Sequence, residues 1–423
     1  MSTTMNQSPT SRIRWMAIFA GFLAVLVDGF DTAALAATLP ALSKEWGLPS
    51  AEFTIPLVLT NAGVVAGYMS AGSLGARYSQ RRVLVAGVSG TAIFSLLSAA
   101  VLSVQSIPLL GIVRLATGIA IGIVLPVAVS LTTSLNPERI RQRISVGVTL
   151  GLASGLTLGG VFGRYLIEHV GTGGMFWAGG IAAIPVAVLV ASAMKGQIEH
   201  GSSADTAASA KVSRLFDDRV RVKTIYLWCF SFLVFIAAYT LTSWTPTLLV
   251  EFGFDASEAP IGLAFMSFGG VVGGLVLLPL TARIGIARAL IMMPVIGVAC
   301  TAAIAFSEPG RVMVLLLLLG AGAGITSGQI GQLTMAVSVY PVGSRTTGVG
   351  WSAALGRIGS IVGPAIAGVL ISLSVSAQSI VLFLAAVPVL VAVFCAAALD
   401  RLGGAPESSL QPANSDSDVK IGQ

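Results

Sequence analysis

LVDGFDTAALAATLP, residues 26–40, sets two carboxylates inside an otherwise apolar segment. It closes an apolar run, 15–40, that is long enough to cross the ~30 Å hydrocarbon core of a bilayer. Two aspartates, Asp28 and Asp31, interrupt the run three residues apart, which places them on one face of a helix. At ~1.5 Å of rise per residue, Asp28 lies about 20 Å from Trp15, near mid-bilayer. A carboxylate at that depth costs about 2.5–3.5 kcal/mol on insertion scales. No other acidic residue falls so deep inside an apolar span. Groups this expensive mark proton and substrate paths in membranes. The chain is therefore read as a membrane protein whose chemistry centres on these two acids and on the cations that answer them.

Composition agrees with that class. The 423 residues are 55% hydrophobic and only 10% charged, too little charge for a soluble protein of this size. The 49 glycines have no Gly-X-Y period and fit close-packed membrane helices. Cys229, Cys300 and Cys395 all lie in apolar runs without metal-ligand spacing and read as small packing residues. His169 and His200 have no second ligand nearby, so no metal site is expected. No G-x-x-x-x-G-K-[ST] motif is present, which argues against ATP-driven work, and no cofactor is expected. The first apolar run exceeds a signal-peptide h-region and is kept as mature structure.

Twelve spans are predicted. They run approximately 15–40, 54–76, 83–104, 108–133, 144–168, 174–194, 222–250, 258–281, 287–306, 312–338, 346–372 and 376–398. Orientation follows from Lys and Arg, which concentrate on the cytoplasmic side. With the N-terminus inside, nineteen of the 24 Lys and Arg fall in inner segments. Lys44 and Arg311 fall outside, and Arg114, Arg164 and Arg357 lie within spans. That bias also accounts for the net charge of +6 without a nucleic-acid partner. It predicts a multi-pass protein of the cell inner membrane with both termini cytoplasmic. The expected organisation is a cytoplasmic N-terminus (1–14), a six-helix bundle (15–194), a polar cytoplasmic linker (195–221), a second six-helix bundle (222–398) and a polar cytoplasmic tail (399–423).

The two halves repeat weakly. SLGARYSQRRVLV, between spans two and three, aligns with PLTARIGIARALI, between spans eight and nine, at one offset of 206. Parallel six-helix repeats predict an all-α membrane fold of two pseudo-symmetric bundles, with a site near mid-depth where they meet.

This layout, the basic loop GSLGARYSQRR (72–82) and the stretch RLATGIAIG (114–122) resemble the major facilitator superfamily. DGFDTA (28–33), TSWTPTLL (242–249) and SRTTGVGWSAALGRIGSIVGP (344–364) resemble, more narrowly, its aromatic acid:proton symporters, among them bacterial 4-hydroxybenzoate and protocatechuate carriers. The resemblance covers nearly all of residues 12–400. It implies that Asp28 and Asp31 are essential for transport, and that Arg114 takes part in proton transfer or holds the acid of span one.

Physical reasoning adds its own roles. A desolvated carboxylate can exchange a proton near neutral pH, so Asp28 and Asp31 are assigned to proton coupling, a set that the resemblance extends to Arg114. Arg357 lies near mid-depth of span eleven among small residues, and its guanidinium matches a carboxylate bidentately. A permanent ion pair with Asp28 or Asp31 is the structural alternative. Asp31, Tyr239, Trp244, Gln329, Gln332 and Trp351 complete the substrate-binding candidates, the aromatics as a flat slot and the glutamines as partners for ring hydroxyls. Ser327 and Asn61 are further buried polar candidates. Arg77, Arg81, Arg82 and Arg345 are assigned to gating at the cytoplasmic mouth. The glycines of span five (Gly151, Gly155, Gly159, Gly160, Gly163) predict a close-contact face between the halves. Arg164 is expected to snorkel to the interface, outside the site.

The chain departs from the family pattern in the basic loops, where Ala76 and Ala282 stand for the acid and Ser79 for a glycine. It departs again after span four, where Ser134 stands for a glutamate that Glu138 could replace. The combined expectation is a secondary transporter and not an enzyme. It imports a small aromatic carboxylate with protons by alternating access, as a monomer in the lipid bilayer. The rivals are a drug or metabolite:proton antiporter, a carrier of non-aromatic organic acids, and a transporter-like sensor.

Overall fold

The computed structural model describes residues 13–137, 140–194, 215–217, 220–307, 309–340 and 345–403. Among the described residues, twelve helical spans are long and apolar enough to cross a membrane. They are α1 (Trp15–Trp46), α2 (Thr54–Arg77), α3 (Gln80–Val101), α4 (Ile107–Ser134), α5 (Arg141–Val170), α6 (Gly174–Ala193), α7 (Arg221–Glu251), α8 (Pro260–Ile284), α9 (Ile286–Phe306), α10 (Arg311–Val339) and α11 (Arg345–Ser372). The last span is composite: α12 (Ala377–Val381) passes through a π-helical stretch, Leu382–Ala386, into α13 (Val387–Gly403).

The helices begin and end for local reasons. Ser106 and Ser376 accept backbone N–H bonds at the starts of α4 and α12. Ser79, where the resembling family carries glycine, does the same for α3 by accepting from the Arg82 N–H at 3.4 Å. α1 outruns its predicted end at Pro40 by six residues. The proline is accommodated inside the helix, which stops only at Gly47, a left-handed cap with φ 63° whose N–H bonds the Ser43 carbonyl.

Packing repeats between the halves. α1 lies on α5, α2 on α4 and α3 on α6; in the second half α7 lies on α11, α8 on α10 and α9 on α13. The basic loops follow the same rule. Arg81 donates to the Ala191 carbonyl at the end of α6, and Arg288 pairs with Asp400 at the end of α13, at 3.6 Å. Arg81 is thus held inside its own half in this conformation, and does not reach across to the other.

The halves meet chiefly through α5 and α8, with α1 against α7 and α2 against α11. The span-five glycines divide between two tasks, which corrects the single face expected from sequence. Gly151, Gly155 and Gly159 lie against α1 of their own half, whereas Gly160 meets Ala264 and Gly163 meets Pro260 of α8. At that same end, opposite the termini, charges bridge the halves. Arg164 Nη1 donates to Glu258 Oε1 at 2.8 Å, and Ser257 Oγ to Glu168 Oε1 at 3.1 Å. Arg311 Nη2 donates to the second oxygen of Glu258 at 2.9 Å. Arg164 therefore joins a network between the halves, where sequence suggested only snorkelling. Among the described residues, α4 and α5 make no comparable packing with α10 or α11. Among the described residues, the halves are bridged at the end opposite the termini and less tightly joined at the other.

Candidate functional site

The two aspartates of α1 have different partners. Asp31 is fully buried and its Oδ2 accepts from Arg114 Nη1 of α4 at 2.8 Å. Arg114, also fully buried, donates a second bond to Thr60 Oγ1 of α2 at 3.3 Å and lies 5.6 Å from the Phe176 ring centre. The buried guanidinium is compensated by a buried carboxylate and directs a further N–H to a hydroxyl, which is what a dry interior demands. The other oxygen of Asp31 is buried without a hydrogen-bond partner. This pair is sealed inside the first half. The arginine that answers Asp31 is Arg114, not Arg357 of the far half.

Asp28 is buried but makes no ion pair among the described residues; its one hydrogen bond is a long 3.5 Å contact from Thr32. It lies within electrostatic range of Arg357 on α11. Arg357 is half-buried near the middle of its helix. Its Nη1 donates to the Tyr239 hydroxyl at 2.9 Å, and its Cζ lies 3.9 Å from the ring centre of Tyr68 on α2. Phe235 stacks on Tyr239 at 5.9 Å and stands 5.8 Å from the same guanidinium. Tyr68 and Tyr239 are half-buried as well, so open space remains beside all three. Here a cation from one half, a carboxylate from the other and three aromatic rings converge near mid-depth. Tyr239 takes one of the guanidinium's five N–H donors, and an anion could take an unused edge.

The remaining candidates scatter. Trp244 is fully buried and donates its indole N–H to the Pro364 carbonyl at 3.1 Å, tying α7 to α11. It is unavailable to an exposed slot. Trp351 stacks on Trp228 at 5.7 Å, and Trp228 meets Phe216 edge-on at 5.4 Å. That column sits toward the termini, about 9 Å of helix rise from Arg357. Gln332 is buried with an unpartnered side-chain oxygen and Gln329 is half-buried; no hydrogen bond links either to Arg357. Ser327 bonds the Ala323 carbonyl of its own helix, and Asn61 the Leu57 carbonyl of its own. Arg77 is exposed beside the Tyr78 ring at 5.7 Å, and Arg82 is exposed. Arg345 opens α11, but its side chain lies outside the described residues, as does Glu138. Tyr68 was not legible in the sequence: a tyrosine in an apolar helix is ordinarily packing, and only the fold turns it toward Arg357.

Among the described residues no cluster of His, Cys, Asp or Glu could hold a metal ion. Comparison with known proteins completes the picture. The chain is 28% identical to a gallate transporter of Pseudomonas putida over 400 residues, covering 87% of this chain and 88% of that protein. It is 27% identical to the 4-hydroxybenzoate transporter PcaK of the same species, covering 85% and 86%. It is 29% identical to the 3-(3-hydroxy-phenyl)propionate transporter of Escherichia coli K12, covering 88% and 91%. Among solved structures, a nucleoside transporter, NupG, superposes with a TM-score of 0.71 at 15% identity, covering 92% of this chain and all of that one. A D-xylose–proton symporter does so with 0.71 at 14%, covering 92% and 97%. Those two likenesses concern the fold alone. Residues 21–341 match the Major Facilitator Superfamily, whose members are transporters and not enzymes. With twelve apolar spans, two halves packed alike and charges placed where the halves meet, the chain is a multi-pass membrane transporter that belongs to the Major Facilitator Superfamily.

Proposed function

We propose that this transporter imports a small aromatic monocarboxylate together with at least one proton across the bacterial cytoplasmic membrane, with both termini inside. The observation that carries the reading is the opposition of Asp28 and Arg357 across the two halves, with Asp31 already committed to Arg114. The relatives named above, carriers of gallate, 4-hydroxybenzoate and hydroxyphenylpropionate, support the substrate class. The Lys and Arg bias supports the orientation.

The coupling follows from charge. An ionised Asp28 competes with the substrate's carboxylate for the field of Arg357. A proton on Asp28 removes that competitor, so proton and anion favour each other's binding. Arg357 offers the anion its unused N–H edge, while Phe235, Tyr239 and Tyr68 surround the guanidinium with aromatic surface. The charge network at the end opposite the termini supports reading the present conformation as closed on the outer side in the proposed orientation. Each net positive charge carried inward gains about 2.3 kcal/mol per 100 mV of membrane potential.

The test is uptake of labelled gallate, 4-hydroxybenzoate, protocatechuate and benzoate by cells expressing the protein, with and without a protonophore. At least one acid is expected to accumulate, and the protonophore to abolish accumulation. Arg357→Ala is expected to lose uptake at unchanged membrane level. Accumulation that ignores the protonophore, or normal uptake by Arg357→Ala, would overturn the reading.

A further inference from the structure

Arg357 is held from two directions that use different parts of its guanidinium. Tyr239 accepts one edge N–H at 2.9 Å, a contact made within the second half. Tyr68, from the first half, presents its ring 3.9 Å from Cζ, well inside the ~6 Å range of a cation–π contact. The ring attracts the cation by its face, whereas a carboxylate is recognised by the in-plane N–H pairs. The two interactions are orthogonal and can coexist. A long side chain such as arginine otherwise retains several rotatable bonds, and ordering it on binding costs affinity.

We propose that Tyr68 is a positioning residue for substrate recognition: its ring fixes the plane of the Arg357 guanidinium across the interface and keeps the unused N–H edge presented to the carboxylate. The role in recognition rests on the functional reading above, while the clamp between Tyr68 and Arg357 does not. The aromatic face carries the effect and the hydroxyl does not. Leucine at this position keeps apolar bulk but removes the π face; phenylalanine keeps both.

The experiment measures concentration-dependent uptake of labelled 4-hydroxybenzoate by Tyr68→Leu and Tyr68→Phe at matched membrane levels. Tyr68→Leu is expected to raise KM about tenfold, the scale of a partly desolvated cation–π contact, with maximal rate within about twofold of wild type. Tyr68→Phe is expected to recover most of that loss. A wild-type KM in Tyr68→Leu, or a Phe variant as impaired as Leu, overturns the proposal. Thermal melting of the purified protein supplies a readout that needs no substrate. Tyr68→Leu, Arg357→Gln and the double variant are expected to be non-additive, the double being no less stable than the worse single variant. Strictly additive losses would show that the ring and the guanidinium do not act together. Should the wild type take up no aromatic carboxylate, the substrate reading falls, and the melting cycle still decides the clamp.

Discussion

Asp31 and Arg114 form an ion pair of 2.8 Å that is fully buried within the first half, while Asp28, one helical turn earlier, has no such partner. Two acids that look equivalent in sequence are thereby assigned to different environments by a single arginine on α4.

Removing one member of a buried pair leaves the other charge uncompensated. Arg114→Leu is expected to destabilise the protein by about 3–5 kcal/mol, because Asp31 has no other ion-pair partner among the described residues. Adding Asp31→Asn in the same chain is expected to restore much of that loss. Melting of the purified protein in detergent checks both; an Arg114→Leu variant that melts with wild type would contradict the pairing.

Asp28→Asn mimics a permanently protonated acid. If Asp28 is the coupling site, this variant still exchanges substrate across the membrane but no longer accumulates it. Proteoliposomes are expected to show counterflow within about threefold of wild type, against a loss of about tenfold or more in proton-driven uptake. Proton-driven uptake at wild-type levels in Asp28→Asn would move the coupling role elsewhere.

The Arg164–Glu258–Arg311 network joins α5 to α8 and α10 at the end opposite the termini. Its side chains are partly exposed, so each pair contributes at most about 1 kcal/mol. Even that is enough to shift a two-state balance about fivefold. Glu258→Gln is expected to populate a conformation open at this end, seen as longer distances between spin labels on Ala41→Cys and Ala256→Cys. Unchanged distances in Glu258→Gln would show that the network only decorates a closure made by apolar packing.

Gly155 and Gly160 lie on the same helix but serve different contacts. A Cβ at Gly155 would collide with the Leu26 carbonyl of α1, within one half; a Cβ at Gly160 would collide with Ala264 of α8, across the halves. Gly155→Ala is expected to lower melting stability by about 1–3 kcal/mol, as overpacking a tight helix contact does. Gly160→Ala is expected to spare each half and instead disfavour closure, lowering uptake with little change in melting. Equal melting losses in the two variants would argue against separate roles.

The twelve spans, the repeat of the two halves, the place of Asp28, Asp31, Arg114 and Arg357 within apolar spans, and the superfamily were legible in the residues alone. These are legible because hydropathy, span length and charge position are properties of the chain taken segment by segment. Partnership is not such a property. It depends on how each helix is rotated about its axis and which neighbour it crosses, which becomes visible once the helices are packed. Packing of α1 against α4 gave Asp31 to Arg114 and left Asp28 toward the interface. The approach of α2 to α11 laid the Tyr68 ring on Arg357, and the rotation of α7 buried Trp244 against Pro364 while leaving Tyr239 beside the guanidinium. Contact of α5 with α8 brought Arg164 and Glu258, 94 residues apart, within 2.8 Å.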